Sequence, residues 1–325
     1  MTSRVGFVAI GRNEGERLVA CLKSLGAAAK GPVVYVDSGS TDDSVARAVD
    51  LGADVVRLDM SVPFTAARAR NAGAARQRDT FGVDYIQFID GDCALAGGWI
   101  ETARAVLDAN SDVAAVCGRR REIRPDASVY NRLCDIEWDT PIGDAQACGG
   151  DVMMRADAFF AVGGYRASLI AGEEPELCLR LREKGLKIVR LDADMTFHDA
   201  AMTRFGEWWR RSMRAGHAFA EVSDLHRGSP QRIWAGETRR AFLWSAVAPT
   251  ALLFAGTVSP LYLLLLLAYP AQAARLWLGA RRRLGADAGP FALYTVLGKF
   301  AEAAGGVKYF WNRARGKTSA LIEYK

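Results

Sequence analysis

The sequence predicts an α/β domain followed by a basic, apolar helical region. Over the first 120 residues, short apolar runs alternate with segments of helical period, which is typical of a mostly parallel sheet covered by helices on both faces. Residues 1–200 carry 24 basic and 30 acidic side chains, whereas residues 201–325 carry 18 basic and only 7 acidic ones. We therefore expect a domain of residues 1–204 and a helical, membrane-associated region of residues 205–325.

Continuous apolar runs predict the strands, and apolar residues spaced three or four apart predict the helices. The predicted strands of the first part are Val5–Ile10, Val33–Val36, Asp54–Leu58, Tyr85–Ile89 and Ala114–Cys117. The predicted helices between them are Glu14–Leu25, Asp43–Leu51, Ala66–Arg78 and Trp99–Ala109. The pattern continues less regularly with a strand at Asp151–Met154, a helix at Pro175–Lys184 and a strand at Lys187–Leu191.

The apolar segment Ala241–Ala274 contains no charged residue. As a single helix it would be roughly 50 Å long, well beyond the ~30 Å hydrocarbon core of a bilayer. Because basic residues flank it on both sides, we expect both ends on the cytoplasmic face of the inner (plasma) membrane, with a hairpin that turns near Gly256–Pro260. The alternative is an unusually apolar helical hairpin buried in protein. Phe291–Arg315 suits an amphipathic helix at the membrane interface or a plain surface helix.

The charge distribution and the cysteine content limit which binding partners and which cellular compartment we expect for this protein. The apolar content of the basic region favours membrane lipid over nucleic acid as its anionic partner. The six cysteines follow no zinc-site spacing, and the first residues show no signal-peptide pattern. We therefore expect reduced, buried thiols in a protein that is not exported.

Three polar clusters follow predicted strands, at Gly11–Glu14, Asp37–Asp42 and Asp90–Asp92. Ligands of parallel sheets bind at the carboxyl ends of the strands, so we expect these clusters at one edge of the sheet. Asp37 could accept the imide N–H of a pyrimidine base. The alternative for its cluster is a turn followed by a helix cap.

The segment Asp90-Gly91-Asp92 is the most informative of the three. Carboxylates two residues apart on an extended segment point to the same side, and Gly91 lets the backbone turn and a ligand approach. Two hard oxygen donors suit Mg²⁺ or Mn²⁺ that bridges a diphosphate.

These clusters, in this order and together with Ala69–Gly73 and Gly172–Leu177, resemble the family 2 glycosyltransferases of GT-A fold, of the membrane-associated bacterial type. The resemblance covers about residues 4–200. It implies a nucleotide-sugar donor, a divalent metal held at a DxD motif and inverting transfer.

The resemblance also implies roles for particular residues. Those implied for the donor pocket are Arg12, Asn13, Glu14, Asp37, Ser38, Arg70, Asp90 and Gly91. Asp92 would coordinate the metal and the diphosphate, with Asp90 near the ribose or the metal. His198 resembles a position at which some GT-A enzymes supply a further metal ligand, and a structural histidine is the alternative. The general base would be Glu174 or its neighbour Glu173.

The residues themselves favour Glu174 as the base. Pro175 suits the first helical position, which would place Glu174 at the N-cap, where glutamate is a poor choice. The helix dipole would favour an ionised carboxylate there, and deprotonating an acceptor hydroxyl requires an ionised group. The alternative is ordinary helix-dipole stabilisation.

Together these features predict an enzyme, an inverting and metal-dependent glycosyltransferase. It would move a sugar from a nucleoside-diphosphate donor, expected to be a UDP-sugar, to a hydroxyl of a lipid-linked or glycan acceptor. The expected setting is surface polysaccharide or glycolipid synthesis. The alternatives are a sugar-1-phosphate nucleotidyltransferase and a non-catalytic, membrane-bound scaffold that binds nucleotide-sugars.

Overall fold

The structure is a computed structural model and describes residues 3–28, 31–317 and 322. The chain divides into two compact units. The first unit comprises Met1–Arg124 and Cys134–Ala200, and the second comprises Pro125–Leu133 and Ala201–Lys325.

The first unit is built on one mixed sheet. Its strands, within the described residues, are β1 Val5–Gly11, β2 Val33–Asp37, β3 Asp54–Arg57, β4 Tyr85–Asp90, β5 Cys93–Leu95, β6 Val113–Glu122, β7 Gly143–Asp144, β8 Val152–Arg155 and β9 Lys187–His198. The helices that accompany them are α1 Glu16–Ala28, α2 Ser44–Asp50, α3 Ala66–Arg76, α4 Trp99–Ala109, α6 Ala156–Ala161 and α7 Glu173–Glu183. Helix α5, Val129–Glu137, begins in residues of the second unit and ends in residues of the first.

The strand order is β3-β2-β1-β4-β8-β6-β9-β5, and β7 pairs with β9. The pairings around β1 and β2 and the pairing of β6 with β9 are parallel, whereas β8, β5 and β7 pair antiparallel with their neighbours. The predicted strands are all present, and the prediction of a mostly parallel sheet holds for its first half. β6 and β9 are longer than expected, and the short strands β5 and β7 were not predicted.

Apolar residues on both faces of the central strands create two cores. On one face Phe7 and Tyr35 pack with Leu18 of α1 and with Trp99. On the other face Val8, Phe88 and Leu177 belong to a second cluster with the small residues of α3. The sheet is therefore covered on both sides, and its polar ligand groups are left to the ends of the strands.

The register of the parallel strands aligns the three polar clusters. Ile10 of β1 lies opposite Asp90 of β4, and Gly11 lies opposite Asp37 of β2. Because these strands run in the same direction, their carboxyl ends meet at one edge of the sheet. The sequence prediction that the clusters share an edge is thereby confirmed.

The second unit is helical in its described part. Its helices beyond α5 are α8 Phe205–Leu225, α9 Ala235–Phe242, α10 Ala248–Val258, α11 Ala268–Leu284 and α12 Ala288–Ala314. The chain reverses at Ser259, whose backbone is extended, and the following 3₁₀ segment Pro260–Leu267 packs back on α10 at Gly256. The expected turn near Gly256–Pro260 is present.

The apolar hairpin is not buried in protein. Leu253, Phe254, Val258 and Leu261 are each at least 60% exposed, so the alternative of a buried helical hairpin is wrong. The helical stretches Ala235–Val258 and Pro260–Ala314 are both long and apolar enough to cross a membrane, by length and composition alone.

Helices α8 and α12 cross at two glycines. A Cβ atom at Gly216 would lie 2.0 Å from the carbonyl oxygen of Glu302, and one at Gly305 would lie 1.9 Å from that of Met213. Both distances are impossible for real atoms, so only glycine permits this approach. The buried side of α12 is accordingly lined by small residues such as Ala292.

Candidate active site

The first two polar clusters are tied to each other by hydrogen bonds. The carboxylate of Asp37 accepts the backbone N–H groups of Gly39 and Ser40, each at 3.1 Å. Asn13 has a left-handed backbone, with φ of 57°, and its side-chain oxygen accepts the backbone N–H of Thr41 at 2.7 Å. The loops that follow β1 and β2 therefore lie together at this edge of the sheet, and Asp37 is almost fully buried there.

The other residues expected in the nucleoside pocket lie at the same edge of the sheet. Arg12 is exposed, and Ser38 is fully buried. Glu14 lies 2.7 Å from the guanidinium of Arg17. Gly91 is buried against the end of β1, where a Cβ atom would lie 3.0 Å from a carbonyl oxygen. The structure therefore brings these predicted residues to one region, and their roles stay predictions.

Arg70 connects the two acidic parts of the edge. Its Nη2 lies 2.5 Å from Oδ1 of Asp90, and its Nη1 lies 2.6 Å from Oε1 of Glu173. The Arg70 side chain is only 3% exposed, so losing it would leave shielded carboxylates without a partner. Burial acts to raise the pKa of Asp90, but Arg70 and Arg120 outweigh it and hold that pKa below its usual value.

Asp92 and His198 form a second polar pair beside the first. Cys93 lies opposite His198 in the antiparallel pairing of β5 with β9, and this register places Oδ1 of Asp92 3.3 Å from Nε2 of His198. His198 is the last residue of β9, whereas the sequence placed it beyond the strand. Asp90, also expected near the metal, lies in the ion pair with Arg70.

The donor set around Asp92 fits a divalent cation. One ligand atom each of Asp92, Cys93 and His198 lie within 4.8 Å of one another. Carboxylate oxygen suits Mg²⁺ and Mn²⁺, and imidazole nitrogen binds first-row transition metals. The other ring nitrogen of His198 is buried without a hydrogen-bond partner among the described residues. The set therefore offers oxygen and nitrogen donors to a divalent cation.

Glu174 lies in a buried cradle at the start of α7. Its Oε1 accepts the backbone N–H of Cys148 at 2.7 Å, and its Oε2 accepts that of Gly149 at 2.8 Å. The thiol of Cys178 donates a further hydrogen bond to Oε1 at 2.8 Å. Burial raises the pKa of Glu174 above its usual value, even though these hydrogen bonds act to lower it.

The expected N-cap position of Glu174 is wrong. The helix begins at Glu173, and the N-cap is Gly172, with a left-handed φ of 79°. Glycine adopts this conformation without strain, so the helix starts two residues before Pro175 rather than at it. Glu174 is therefore inside the first turn, where the helix dipole still favours its ionised form.

Sequence reasoning missed Arg120 and placed Asp151 at the start of a predicted strand. Asp151 is fully buried and accepts the hydroxyl of Thr196 at 2.7 Å and the backbone N–H of Asp90 at 3.0 Å. Nη2 of Arg120 lies 3.0 Å from the Asp151 carboxylate. The signal was available: three consecutive arginines, 119–121, follow the apolar part of β6, which ends at Glu122.

Gly150 packs directly against this network. A Cβ atom there would lie 2.7 Å from Nη2 of Arg70 and 2.9 Å from Oδ2 of Asp90. The segment Cys148–Gly150 thus contacts both the Arg70 ion pair and the Glu174 cradle.

Residues 8–160 match the family model described as Glycosyl transferase family 2. This match makes residues 8–160, slightly less than half of the chain, similar to family 2 glycosyltransferases. The match includes the polar strand ends from Arg12 to Asp92, while α7 and His198 lie beyond it.

Among curated relatives, this chain is similar to the pre-mycofactocin glycosyltransferase of Mycobacterium tuberculosis. The two chains are 26% identical over 226 residues, which cover 65% of this chain and 45% of the relative. The chain therefore spans about half the length of the curated relatives it matches.

Solved structures extend the likeness in fold to nearly the whole chain. The mannosyltransferase PcManGT from Pyrobaculum calidifontis, in complex with GDP-Man and Mn²⁺, is 18% identical, with a TM-score of 0.63 over 96% of this chain and 88% of its own. Residues 1–349 of TarS from S. aureus are 12% identical, with a TM-score of 0.53 over 97% and 92%. The predicted resemblance to family 2 glycosyltransferases is confirmed for residues 8–160, and the predicted GT-A fold is confirmed.

Proposed function

We propose that this chain transfers a sugar from a nucleoside-diphosphate donor to an acceptor hydroxyl, with inversion at the anomeric carbon and with Mn²⁺ or Mg²⁺ as cofactor. The proposed donor is a UDP-sugar, since Asp37 suits the imide of a pyrimidine. A GDP-sugar is its competitor, because the mannosyltransferase of similar fold binds GDP-Man.

The bridge made by Arg70 is the observation that carries this proposal. One buried guanidinium holds Asp90, at the end of β4, and Glu173, at the start of α7. Sugar transfer with inversion requires the leaving diphosphate and the attacking hydroxyl on opposite faces of one carbon. The residues that bind the diphosphate and the residue that activates the hydroxyl must therefore lie close together. Arg70 fixes these two acidic elements relative to each other.

The divalent ion, held by Asp92 and His198, would offset the negative charge of the leaving diphosphate when bound. Asp37 and the loop of Asn13 would hold the nucleoside. Arg70, which already bonds two carboxylates, would keep Asp90 ionised beside the donor.

Glu174 is the proposed general base. Glu173 is held in an ion pair with Arg70 at 2.6 Å, so its Oε1 is already occupied by the guanidinium. Glu174 has no cationic partner that close among the described residues, and burial raises its pKa. Because Glu174 is only 2% exposed, the covering segment Cys148–Gly149 has to shift before an acceptor hydroxyl can reach it.

The second unit supports a lipid-linked acceptor at a membrane. Exposed apolar side chains cover its hairpin, and a cavity of about 290 Å³ lies among α9, α11 and α12. Trp244, Tyr269 and Leu276 line this cavity together with the basic side chains of Arg240 and Lys299. Such a combination suits an acyl chain with an anionic head group. The proposed location is the cytoplasmic face of the inner membrane.

Two measurements test the proposal. Metal-dependent thermal stabilisation by UDP-sugars and GDP-sugars should identify the donor, because a ligand specific to the folded state raises the melting temperature. In a transfer assay with that donor and a membrane lipid extract, Asp92→Ala and Glu174→Gln should each lower kcat by roughly 10²–10⁴. Glu183→Gln, an exposed change at the end of α7, is the matched control.

Full turnover by folded Glu174→Gln would remove Glu174 from the mechanism, and loss in Glu173→Gln alone would transfer the role to Glu173. A product that retains the donor's anomeric configuration would contradict inversion. Donor binding without transfer to any lipid fraction would instead favour a binding scaffold.

A further inference from the structure

Three of the six cysteines converge behind the candidate active site. Cys117 belongs to β6, Cys148 to the loop before β8, and Cys178 to α7. The sulfur atoms of Cys148 and Cys178 lie within 4.8 Å of each other, and the Cys117 thiol is close enough to interact electrostatically with both. These residues are 31 and 30 positions apart in the chain, so the cluster follows no zinc-site spacing in the sequence.

A carboxylate faces these thiols inside the core. Oε1 of Glu174 lies 2.8 Å from Sγ of Cys178. One ligand atom each of Cys148, Glu174 and Cys178 lie within 4.8 Å of one another. In a tetrahedral site with metal–sulfur distances of about 2.3 Å, sulfur atoms lie roughly 3.8 Å apart, so only small adjustments separate this arrangement from a coordination shell.

We propose that Cys148, Cys178 and Glu174 bind a thiophilic divalent cation, such as Zn²⁺ or Cd²⁺, with Cys117 as the nearest fourth donor. This site goes beyond the proposed transfer reaction and is distinct from the Asp92–His198 pair. Thiolates select Zn²⁺ and softer ions, whereas the oxygen donors of the sheet edge suit Mg²⁺ and Mn²⁺.

The charge balance favours such a site. The two thiols lose their protons to solvent as two metal–sulfur bonds and one metal–oxygen bond form. A divalent ion replaces two protons, so the net charge of the buried cluster does not change. The cation takes the place of the thiol hydrogen between Cys178 and Glu174, and the carboxylate keeps the two backbone N–H groups that it already accepts.

The cluster is reachable from solvent at one point. Cys178 is fully buried and Cys117 is 2% exposed, but Cys148 is partly exposed and precedes the exposed Gly149. A cation can therefore enter past Cys148. Once bound, it would hold the Glu174 carboxylate and inhibit transfer if Glu174 is the base.

The test is a titration of the purified, full-length, phosphine-reduced protein with Cd²⁺, followed by the ultraviolet charge-transfer band of cadmium–thiolate bonds. We expect one equivalent of Cd²⁺ to produce the band and Zn²⁺ to displace it. Neither donor nor acceptor is present, so the outcome is independent of the proposed function.

Variants assign the ligands. Cys148→Ser and Cys178→Ala should each abolish the band, and Cys117→Ala should weaken it. Cys134→Ala, which removes a buried thiol outside the cluster, and Asp92→Asn should leave it unchanged. Cys148→Ser changes a partly exposed residue and should fold even where Cys178→Ala does not, as circular dichroism will show. No band in the wild type, or a band that persists in folded Cys148→Ser, overturns the proposal.

Discussion

The sheet edge of the first unit is rich in charged side chains, whereas the apolar hairpin of the second unit has none. At the sheet edge, charged groups are buried and satisfied by one another, as the 3% exposed Arg70 shows. In the hairpin no charged residue occurs, and large apolar side chains such as the 75% exposed Phe254 face outward. The first arrangement suits a small, charged ligand, and the second suits an apolar surrounding.

The buried network is the part most sensitive to a single change. Arg70→Met keeps an unbranched apolar stem but removes the guanidinium, which leaves Asp90 and Glu173 without their shared partner. We expect a loss of about 3–5 kcal/mol in the free energy of unfolding, measured by denaturant titration. Arg76→Met on the same helix removes an ion pair with Asp54 whose arginine is 47% exposed, and should cost far less stability because an exposed ion pair is screened by solvent.

A second substitution separates charge burial from other effects of Arg70→Met. In the double variant Arg70→Met, Glu173→Gln, one of the two unpartnered carboxylates is neutral, so part of the lost stability should return. If Arg70→Met and Arg76→Met lowered the free energy of unfolding equally, burial would not make the Arg70 network more important for stability than the exposed ion pair.

The hairpin should be sensitive to added charge rather than to lost charge. Phe254→Asp puts a carboxylate on the exposed face of α10 and should cost about 3 kcal/mol of membrane affinity, which is about a hundredfold in the partition coefficient. Co-sedimentation with vesicles of anionic phospholipid measures it. Val49→Asp is the matched control, because Val49 is 57% exposed on α2 of the first unit. Unchanged sedimentation of Phe254→Asp would remove α10 from the membrane contact.

The same contrast explains how far the sequence could predict the structure. Continuous apolar runs mark the central strands, and the carboxyl ends of parallel strands share an edge, so the clusters at Asn13, Asp37 and Asp90 were placed correctly. β5 and β7, with three and two residues, are too short to show a period. The start of α7 was misplaced because Gly172, and not Pro175, sets it.

Contacts that depend on tertiary pairing could not be predicted. Arg120 and Asp151 meet because β6 pairs antiparallel with β8, and no local pattern encodes that pairing. The thiol cluster of Cys117, Cys148 and Cys178 joins a strand, a loop and a helix in the same way. For such groups, the sequence supplies the residue types and the sheet order supplies the neighbours.

The contrast between the two units has an exception, because the second unit also contains a buried carboxylate. Glu221 on α8 has its Oε2 3.4 Å from Nδ1 of His217, and burial raises its pKa from the ordinary value of about 4.5 to about 7. Burial also lowers the pKa of His217 to about 4. Between these values both groups are neutral, so the pair is not an ion pair at mildly acidic pH.

The raised pKa of Glu221 leads to the smallest of the predicted changes in stability, and it fixes the direction in which that change depends on pH. Because the folded state binds this proton more tightly, its stabilising contribution is complete below pH 4.5 and is lost as the pH rises to about 7. Glu221→Gln cannot ionise, so its unfolding free energy relative to wild type should rise across this window by on the order of 1 kcal/mol and then level off. Thermal unfolding at several pH values measures this difference. A flat difference for Glu221→Gln would mean that Glu221 ionises as freely in the folded state as in the unfolded chain.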